Sequence, residues 1–313
     1  MRISQGYIWV TIPLLLLLTS AHAEQSDLDE DADVVLSRVR RVIGGKSIAE
    51  GHSPWLVSLQ GKIVTKKLFG FIPIAYKKLY CGGSVLSDRW ILTAAHCFKD
   101  KTYADALKPG SWHAYLATVD LKLGFWDRIR HAFGKLFGRT DWLEWERHLD
   151  RVVIHPNYNP SNRWENDIAL VRLRDSVPSG STFAQIRRIQ LPEENDMSFP
   201  ATGDNCVATG WGCTRDGGGV SKTAMSVNLP IQSPSSCSWR YGVNMATRLC
   251  VGTEGKGICQ GDSGGPLACR MNGKWVQTGI ASFIHGRQPD KYPSVFTRVS
   301  KYTSWIKRNT GLR

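Results

Sequence analysis

The chain has 313 residues, 42% hydrophobic and 21% charged, with 40 Lys and Arg against 27 Asp and Glu for a net charge of +13. That composition excludes a disordered, collagenous or multi-span membrane protein, because apolar residues are plentiful yet fill no helix-spanning run outside the N-terminus. One or two compact domains remain.

Arg2 precedes an apolar stretch from Tyr7 to Leu18 that closes at Ala21-His22-Ala23, a small-x-small cleavage pattern. Residues 1–23 therefore read as a secretory signal peptide. A membrane anchor is the alternative, but the apolar core from Leu14 to Leu18 is short for spanning a bilayer. Export places the chain in the extracellular space or a secretory granule. There its eight cysteines are expected in disulfides rather than as metal thiolates or free thiols. The absence of any C-x-x-C pair also argues against zinc. Eight cysteines allow about 105 pairings, so spacing alone does not choose among them.

Residues 24–41 carry six acids (Glu24, Asp27, Asp29, Glu30, Asp31 and Asp33) and end in Arg38-Val39-Arg40-Arg41. A basic run followed at once by Val42-Ile43-Gly44-Gly45 reads as an acidic activation propeptide, cut after Arg41, ahead of a folded domain at 42–313. The alternative is a solvated linker that is never cut. Without residues 1–41 the body carries a charge of +15.

From Val42 onward, short apolar or alternating runs are separated by Gly, Pro, Asn and Asp. Examples are Trp55 to Leu59, Trp90 to Thr93, Ile168 to Leu173, Cys206 to Thr209 and Trp275 to Ser282. This predicts an all-β domain of barrels or sandwiches. Helical spacing occurs at Phe125 to Phe137, and at the C-terminus, where Val299, Tyr302 and Ile306 fall three to four apart.

Three segments carry chemistry. Thr93-Ala94-Ala95-His96-Cys97 ends a strand with an imidazole, and Asn166-Asp167-Ile168-Ala169-Leu170 begins another with a carboxylate. Gly261-Asp262-Ser263-Gly264-Gly265-Pro266 sets one hydroxyl among glycines, where backbone N–H groups can approach a reacting carbonyl oxygen without Cβ clashes. Taken alone, that last segment reads equally as a plain turn. A serine hydroxyl needs a base to take its proton, and the base needs an acceptor to fix its tautomer and stabilise its cation. His, Asp and Ser, each in its own apolar context, meet that need.

With these segments, Val42-Ile43-Gly44-Gly45, Cys81-Gly82-Gly83-Ser84 and Gly210-Trp211-Gly212 in the same order, residues 42–313 resemble the chymotrypsin and trypsin family of secreted serine proteases. The resemblance implies two antiparallel six-stranded β-barrels, a C-terminal α-helix and an active site in the cleft between the barrels. It implies Ser263 as nucleophile, His96 as general base and then acid, Asp167 as its orienting partner, and the N–H groups of Gly261 and Ser263 as the oxyanion hole. No metal or organic cofactor is required, and a monomer is expected. The substrates are proteins or peptides.

Cutting after Arg41, by a convertase-like or trypsin-like protease, would free an ammonium at Val42, which the family buries against the carboxylate before the nucleophile, here Asp262. Uncut protein is then a zymogen.

Specificity departs from trypsin. The position six before the nucleophile, an Asp in trypsin-like members, is Gly257, followed by Ile258; Ser282, Ile284 and Ser294 align with the remaining pocket walls. Without the buried carboxylate a cationic side chain loses its partner on entry. Ile284 narrows the mouth, so an elastase-like preference for small aliphatic residues is expected, with a chymotrypsin-like pocket as the alternative.

The family's disulfides carry over as Cys81 with Cys97, Cys206 with Cys269, and Cys237 with Cys250. Cys259 lacks its usual partner after Ser282, and Cys213 is left over, so a nonstandard Cys213 to Cys259 bridge is expected.

Two insertions are longer than the family usually carries. Gly61 to Tyr80 combines five lysines with Leu68, Phe69, Phe71, Ile72 and Ile74; Leu121 to Arg139 is a basic amphipathic helix candidate. Segments 61–80 and 121–139 are expected either to pack on the barrel as a solvated basic face or to bind a heparin-like glycosaminoglycan or an acidic protein. A different functional class is a catalytically silent binding module on the same fold, its pocket closed by Ile258 and Ile284.

Overall fold

The computed structural model describes residues 43–69, 71–99, 104–121, 146–177, 186–286 and 288–313. Residues 1–42, where a signal peptide and a propeptide ending at Arg41 are expected, and the second insertion beyond Leu121 lie outside the described residues, as does the Phe125 to Phe137 helix candidate.

The first half of the domain is a closed antiparallel barrel. Its strands are β2 (Leu56–Leu68), β3 (Ile72–Val85), β4 (Trp90–Thr93), β5 (Trp112–Leu116), β6 (Glu146–Ile154) and β7 (Ala169–Leu173), in the order β2-β3-β4-β7-β6-β5. Period-2 alternation drives Trp112, Ala114 and Leu116 inward from β5. Gly61 of β2 lies opposite Trp112, and a Cβ there would sit 3.0 Å from the indole ring, so glycine leaves the room that the tryptophan fills.

The second half holds the six strands expected of the second barrel, with a short seventh strand at one edge. Its strands β1 (Lys46–Ser47), β8 (Asn205–Gly210), β9 (Met225–Pro230), β10 (Arg248–Val251), β11 (Pro266–Met271), β12 (Lys274–Phe283) and β13 (Ser294–Arg298) form one sheet, ordered β1-β9-β8-β11-β12-β13-β10. The outer edge of β9 pairs with β1 at Lys46 and Ser47. At its other end β9 runs into β10 through the Ile231–Val251 bridge. Two bonds flank it, Gln232 N–H to the Cys250 carbonyl at 2.8 Å and Gly252 N–H to the Pro230 carbonyl at 2.9 Å.

Helix α1 (Pro234–Tyr241) has proline in its first turn and ends at Gly242 with φ 61°, the usual start and stop chemistry. The C-terminal helix α2 (Thr303–Thr310) buries Trp305 and Ile306, which join Tyr302 in the core of the first barrel. Lys307 and Arg308 occupy its last turn, where cations complement the helix dipole.

Only the base of the first insertion packs on the barrel, where Ile63 is fully buried and Leu79 lies against the core. Strands β2 and β3 continue through it as a hairpin whose outer half, beyond Gly61 and Leu79, pairs with no third strand among the described residues.

Candidate active site

His96 sits on a single turn of 3-10 helix (Ala95–Cys97) directly after β4, held by the buried Ala94 and Ala95 and by the Cys81–Cys97 disulfide. Asp167 ends the loop before β7 and is only 1% exposed. Its Oδ1 accepts the His96 backbone N–H at 2.9 Å, and its Oδ2 lies 2.7 Å from His96 Nδ1. An ionised carboxylate only accepts, so Nδ1 carries the proton and Nε2 is left as the basic atom. Burial pulls the His96 pKa down, but the Asp167 charge and its hydrogen bond together outweigh this and leave it above the ordinary histidine value.

Sequence reasoning gave Ser282 a place in the specificity pocket and missed its bond to this pair: Ser282 Oγ donates to Asp167 Oδ2 at 2.5 Å. Thr297 Oγ1 donates to the Asp167 backbone carbonyl at 2.8 Å, and the Tyr302 hydroxyl donates to Asn166 Oδ1 at 2.8 Å. These partners stand more than a hundred residues along the chain, and no local signal connects them.

Ser263 lies between β10 and β11 and is partly exposed. Its carbonyl accepts the Gly82 N–H at 2.7 Å and lies 3.9 Å from Cys97 Sγ, which sets the nucleophile candidate beside the His96 turn. A Cβ on Gly264 would overlap Thr93 Oγ1, so close approach of the two loops requires glycine there, at φ 77°. Ser263 Oγ makes no hydrogen bond to His96 in this structure, a separation that substrate-free sites commonly show. Among the described residues, the N–H groups of Gly261 and Ser263 have no acceptor, whereas Asp262 N–H is bonded to the Cys259 carbonyl at 3.0 Å. Gly261 has φ 104°, and a Cβ there would lie 2.7 Å from Val220 Cγ1.

Asp262 is 3% exposed. Its carboxylate accepts the N–H groups of Gly212 at 2.7 Å and Cys259 at 2.9 Å, and a Cβ on Gly210 or Gly212 would overlap it. Burial pushes its pKa up to about 6, with the two backbone bonds opposing. The segment after Arg41 ends close by: Ile43 is buried with Cys213 and Cys259, and its carbonyl accepts the Gly257 N–H at 3.2 Å.

Four disulfides join Cys81 to Cys97, Cys206 to Cys269, Cys213 to Cys259 and Cys237 to Cys250. The Cys213–Cys259 bridge ties the loop of Gly261 and Ser263 to the neighbouring loop, supported by Cys213 N–H to the Gln260 carbonyl at 2.9 Å. Cys81, His96 and Cys97 come within metal-ligand distance of one another. Their two sulfurs are bonded together, so the cluster offers a metal no thiolate.

Of the pocket residues, Gly257 faces the Pro289 carbonyl, 2.8 Å from where a Cβ would stand, and Ser294 Oγ is 3.5 Å from the same point. Ser294 is buried, with its hydroxyl unpaired. Ile258 is 4% exposed, and the half-buried Ile284 packs on the same apolar cluster. An aromatic wall escaped sequence reasoning: Trp164 and Phe283 have ring centroids 5.6 Å apart, and Tyr241 meets Phe283 edge-on at 5.5 Å. Trp164 is three residues before Asp167 in the chain, and Phe283 directly follows Ser282, which bonds to Asp167.

Comparison with known proteins gives a match to the trypsin family model over residues 42–306. Transmembrane protease serine 7 from Homo sapiens is 33% identical over 278 residues, 87% of this chain and 28% of its own length. The Mus musculus protein of the same name is 33% identical over 278 residues, 29% of its length. The chain thus spans under a third of these relatives. No helix among the described residues is long and apolar enough to cross a membrane.

Proposed function

Since this chain belongs to the trypsin family, we propose that it is a serine endopeptidase, exported and made as a zymogen. The observation that carries the reading is the His96–Asp167 pair standing beside a serine loop with two unbonded N–H groups. Ser263 attacks the scissile carbonyl as His96 Nε2 takes its proton. Asp167 and Ser282 hold the imidazole in place, and Gly261 and Ser263 N–H groups bind the oxyanion. His96 then returns the proton to the leaving amine, and water repeats the cycle on the acyl-enzyme.

Activation follows from Asp262. A buried carboxylate satisfied by two backbone N–H groups alone retains a desolvation cost. Cleavage after Arg41 supplies the Val42 ammonium one residue from Ile43, which already lies against the Cys213–Cys259 bridge. Pairing of the two charges locks the oxyanion loop.

The side chain accepted before the scissile bond is small and aliphatic. Gly257 presents no carboxylate, the Pro289 carbonyl and Ser294 close the floor, and Ile258 with Ile284 makes the walls apolar. Trp164 and Phe283 offer the preceding substrate residues an aromatic surface. A peptide-library cleavage profile of the Arg41-cleaved protein, with Ser263→Ala as control, tests the reading. Cleavage after Ala or Val supports it, cleavage after large aromatic residues replaces the elastase-like pocket with a chymotrypsin-like one, and cleavage after Arg or Lys contradicts both. A folded, cleaved protein that cuts nothing points to the silent binding module.

A further inference from the structure

The arm formed by β2 and β3 carries an apolar tip that the fold does not use. Strand β5 leaves β2 at Gly61, and β4 touches β3 only at Ser84 and Val85. Beyond these points, among the described residues, the two strands pair only with each other, out to Leu68 opposite Ile72. A tight turn closes the arm, with Phe71 N–H bonded to the Leu68 carbonyl at 3.3 Å and Phe69 held at φ 50°, a conformation glycine favours.

Phe69 is 79% exposed and Phe71 71%, with Leu68, Ile72, Ile74 and Tyr76 exposed beside them. Six of the ten exposed large hydrophobic side chains among the described residues therefore fall between positions 68 and 76, which makes a patch rather than the scatter normal on a soluble surface.

Behind the tip stands a collar of Lys62, Lys66, Lys67 and Lys78, in a stretch of sequence from 61 to 80 that contains no acid. Lys62 is directly opposite Lys78 across the pair, a repulsive arrangement. The Lys62 ammonium lies 4.0 Å over the Tyr76 ring. Cations so gathered are relieved by an anionic surface.

We propose that this arm seats its tip in a membrane bearing anionic lipid, the Phe69–Phe71 turn entering the interface and the lysine collar pairing with headgroups. Two features select lipid over a protein or a sulfated polysaccharide. The run Phe71-Ile72-Pro73-Ile74 puts apolar groups on both faces of the ribbon, since alternate residues point oppositely. A protein groove covers one face, whereas hydrocarbon surrounds both. A sulfated chain pairs with the lysines but leaves both phenylalanines in water. The reach also fits: from Lys67 to the turn is about 10 Å at the rise of a strand, the depth at which interfacial segments lie. The inference stands on the arm alone and is independent of the proposed proteolytic activity.

The test is cosedimentation of the full chain with vesicles of phosphatidylcholine, with and without about 30 mol% phosphatidylserine. Wild type is expected to bind the anionic vesicles, more weakly as salt rises, and to bind neutral vesicles poorly. The Phe69→Ser/Phe71→Ser variant is expected to lose about tenfold or more in affinity. The Lys66→Gln/Lys67→Gln variant should lose a comparable amount together with part of the salt dependence. Thermal melts matching wild type establish that each variant is folded, and hydrolysis of a small soluble peptide gives a second check. No vesicle binding by wild type, or equal binding by the serine variant, overturns the proposal. Retention on heparin that depends on the lysines but not on the phenylalanines, without vesicle binding, assigns the collar to a polyanion instead.

Discussion

Asp167 holds His96 at two atoms at once: its Oδ1 accepts the backbone N–H at 2.9 Å while its Oδ2 lies 2.7 Å from Nδ1. One carboxylate thereby fixes both the position of the 3-10 turn and the tautomer of the ring it carries. The Ser282 hydroxyl, at 2.5 Å from Oδ2, gives the same oxygen a second donor.

The pH dependence follows. His96 acts as a base only when neutral, and its pKa lies above the ordinary histidine value, so kcat/KM should rise with pH through an apparent pKa above that value. Asp167→Asn should shift the limb downward and lower kcat by about 10⁴-fold, because the amide favours the wrong tautomer. Ser282→Ala, which removes one hydrogen bond to a charged group, should lower kcat by about tenfold. Initial-rate pH profiles of the three proteins check both statements; a Ser282→Ala profile identical to wild type would remove Ser282 from the positioning network.

Asp262 ties stability to activation. Its folded pKa, about 6, lies above that of an unfolded carboxylate. Ionising it therefore costs stability: the cost is absent at pH values below the unfolded pKa, grows as pH rises toward 6, and reaches at most about 3 kcal/mol above it. Under the proposed activation, a Val42 ammonium would offset that cost. Cleaved protein should melt higher than uncut protein at pH 8, with the gap narrowing below pH 6. Arg41→Ala protein that keeps its propeptide should be nearly inactive. Equal melting points at pH 8, or full activity of Arg41→Ala, would count against the pairing.

The Cys213–Cys259 bridge closes a loop across a sequence separation of 46 residues. Replacing both cysteines by serine should cost about 2–4 kcal/mol in denaturant unfolding. It should also lower kcat more than it raises KM, because Gly261 and Ser263 belong to the loop it anchors. A change confined to stability would show that the bridge does not position the oxyanion donors.

Pocket shape makes a separate prediction. Ile284→Gly should widen the site and move preference toward larger residues, by about 1–3 kcal/mol in relative kcat/KM. Trp164→Ala should raise KM for long peptides while leaving single-residue substrates unchanged. Competition assays with paired peptides decide both.

Much of this was legible in the chain. His96, Asp167 and Ser263 each sit at a strand end or a glycine turn with a chemical reason for the residue type, and the four cysteine pairs follow from family resemblance together with two leftover thiols. Other features depend on distance in sequence. Ser282 reaches Asp167 only because β12 runs beside β13, which carries Thr297 to the Asp167 carbonyl. The seven-stranded sheet arises because two residues, Lys46 and Ser47, occupy the edge of β9, too short a strand for any pattern to reveal. Helix α1 buries only Cys237 and Tyr241, too few positions for helical periodicity to show. In Gly61 to Tyr80 the consecutive apolar run hid the alternation by which a hairpin is usually recognised.

The most direct test of the central claim is labelling by a fluorophosphonate probe, which reacts only with a serine activated by its base and an oxyanion site. Arg41-cleaved protein should be labelled at Ser263, uncut protein far more slowly, and Ser263→Ala not at all. Absence of labelling in folded protein with a free Val42 terminus would contradict the account and leave a basic, catalytically silent binding module on the protease fold.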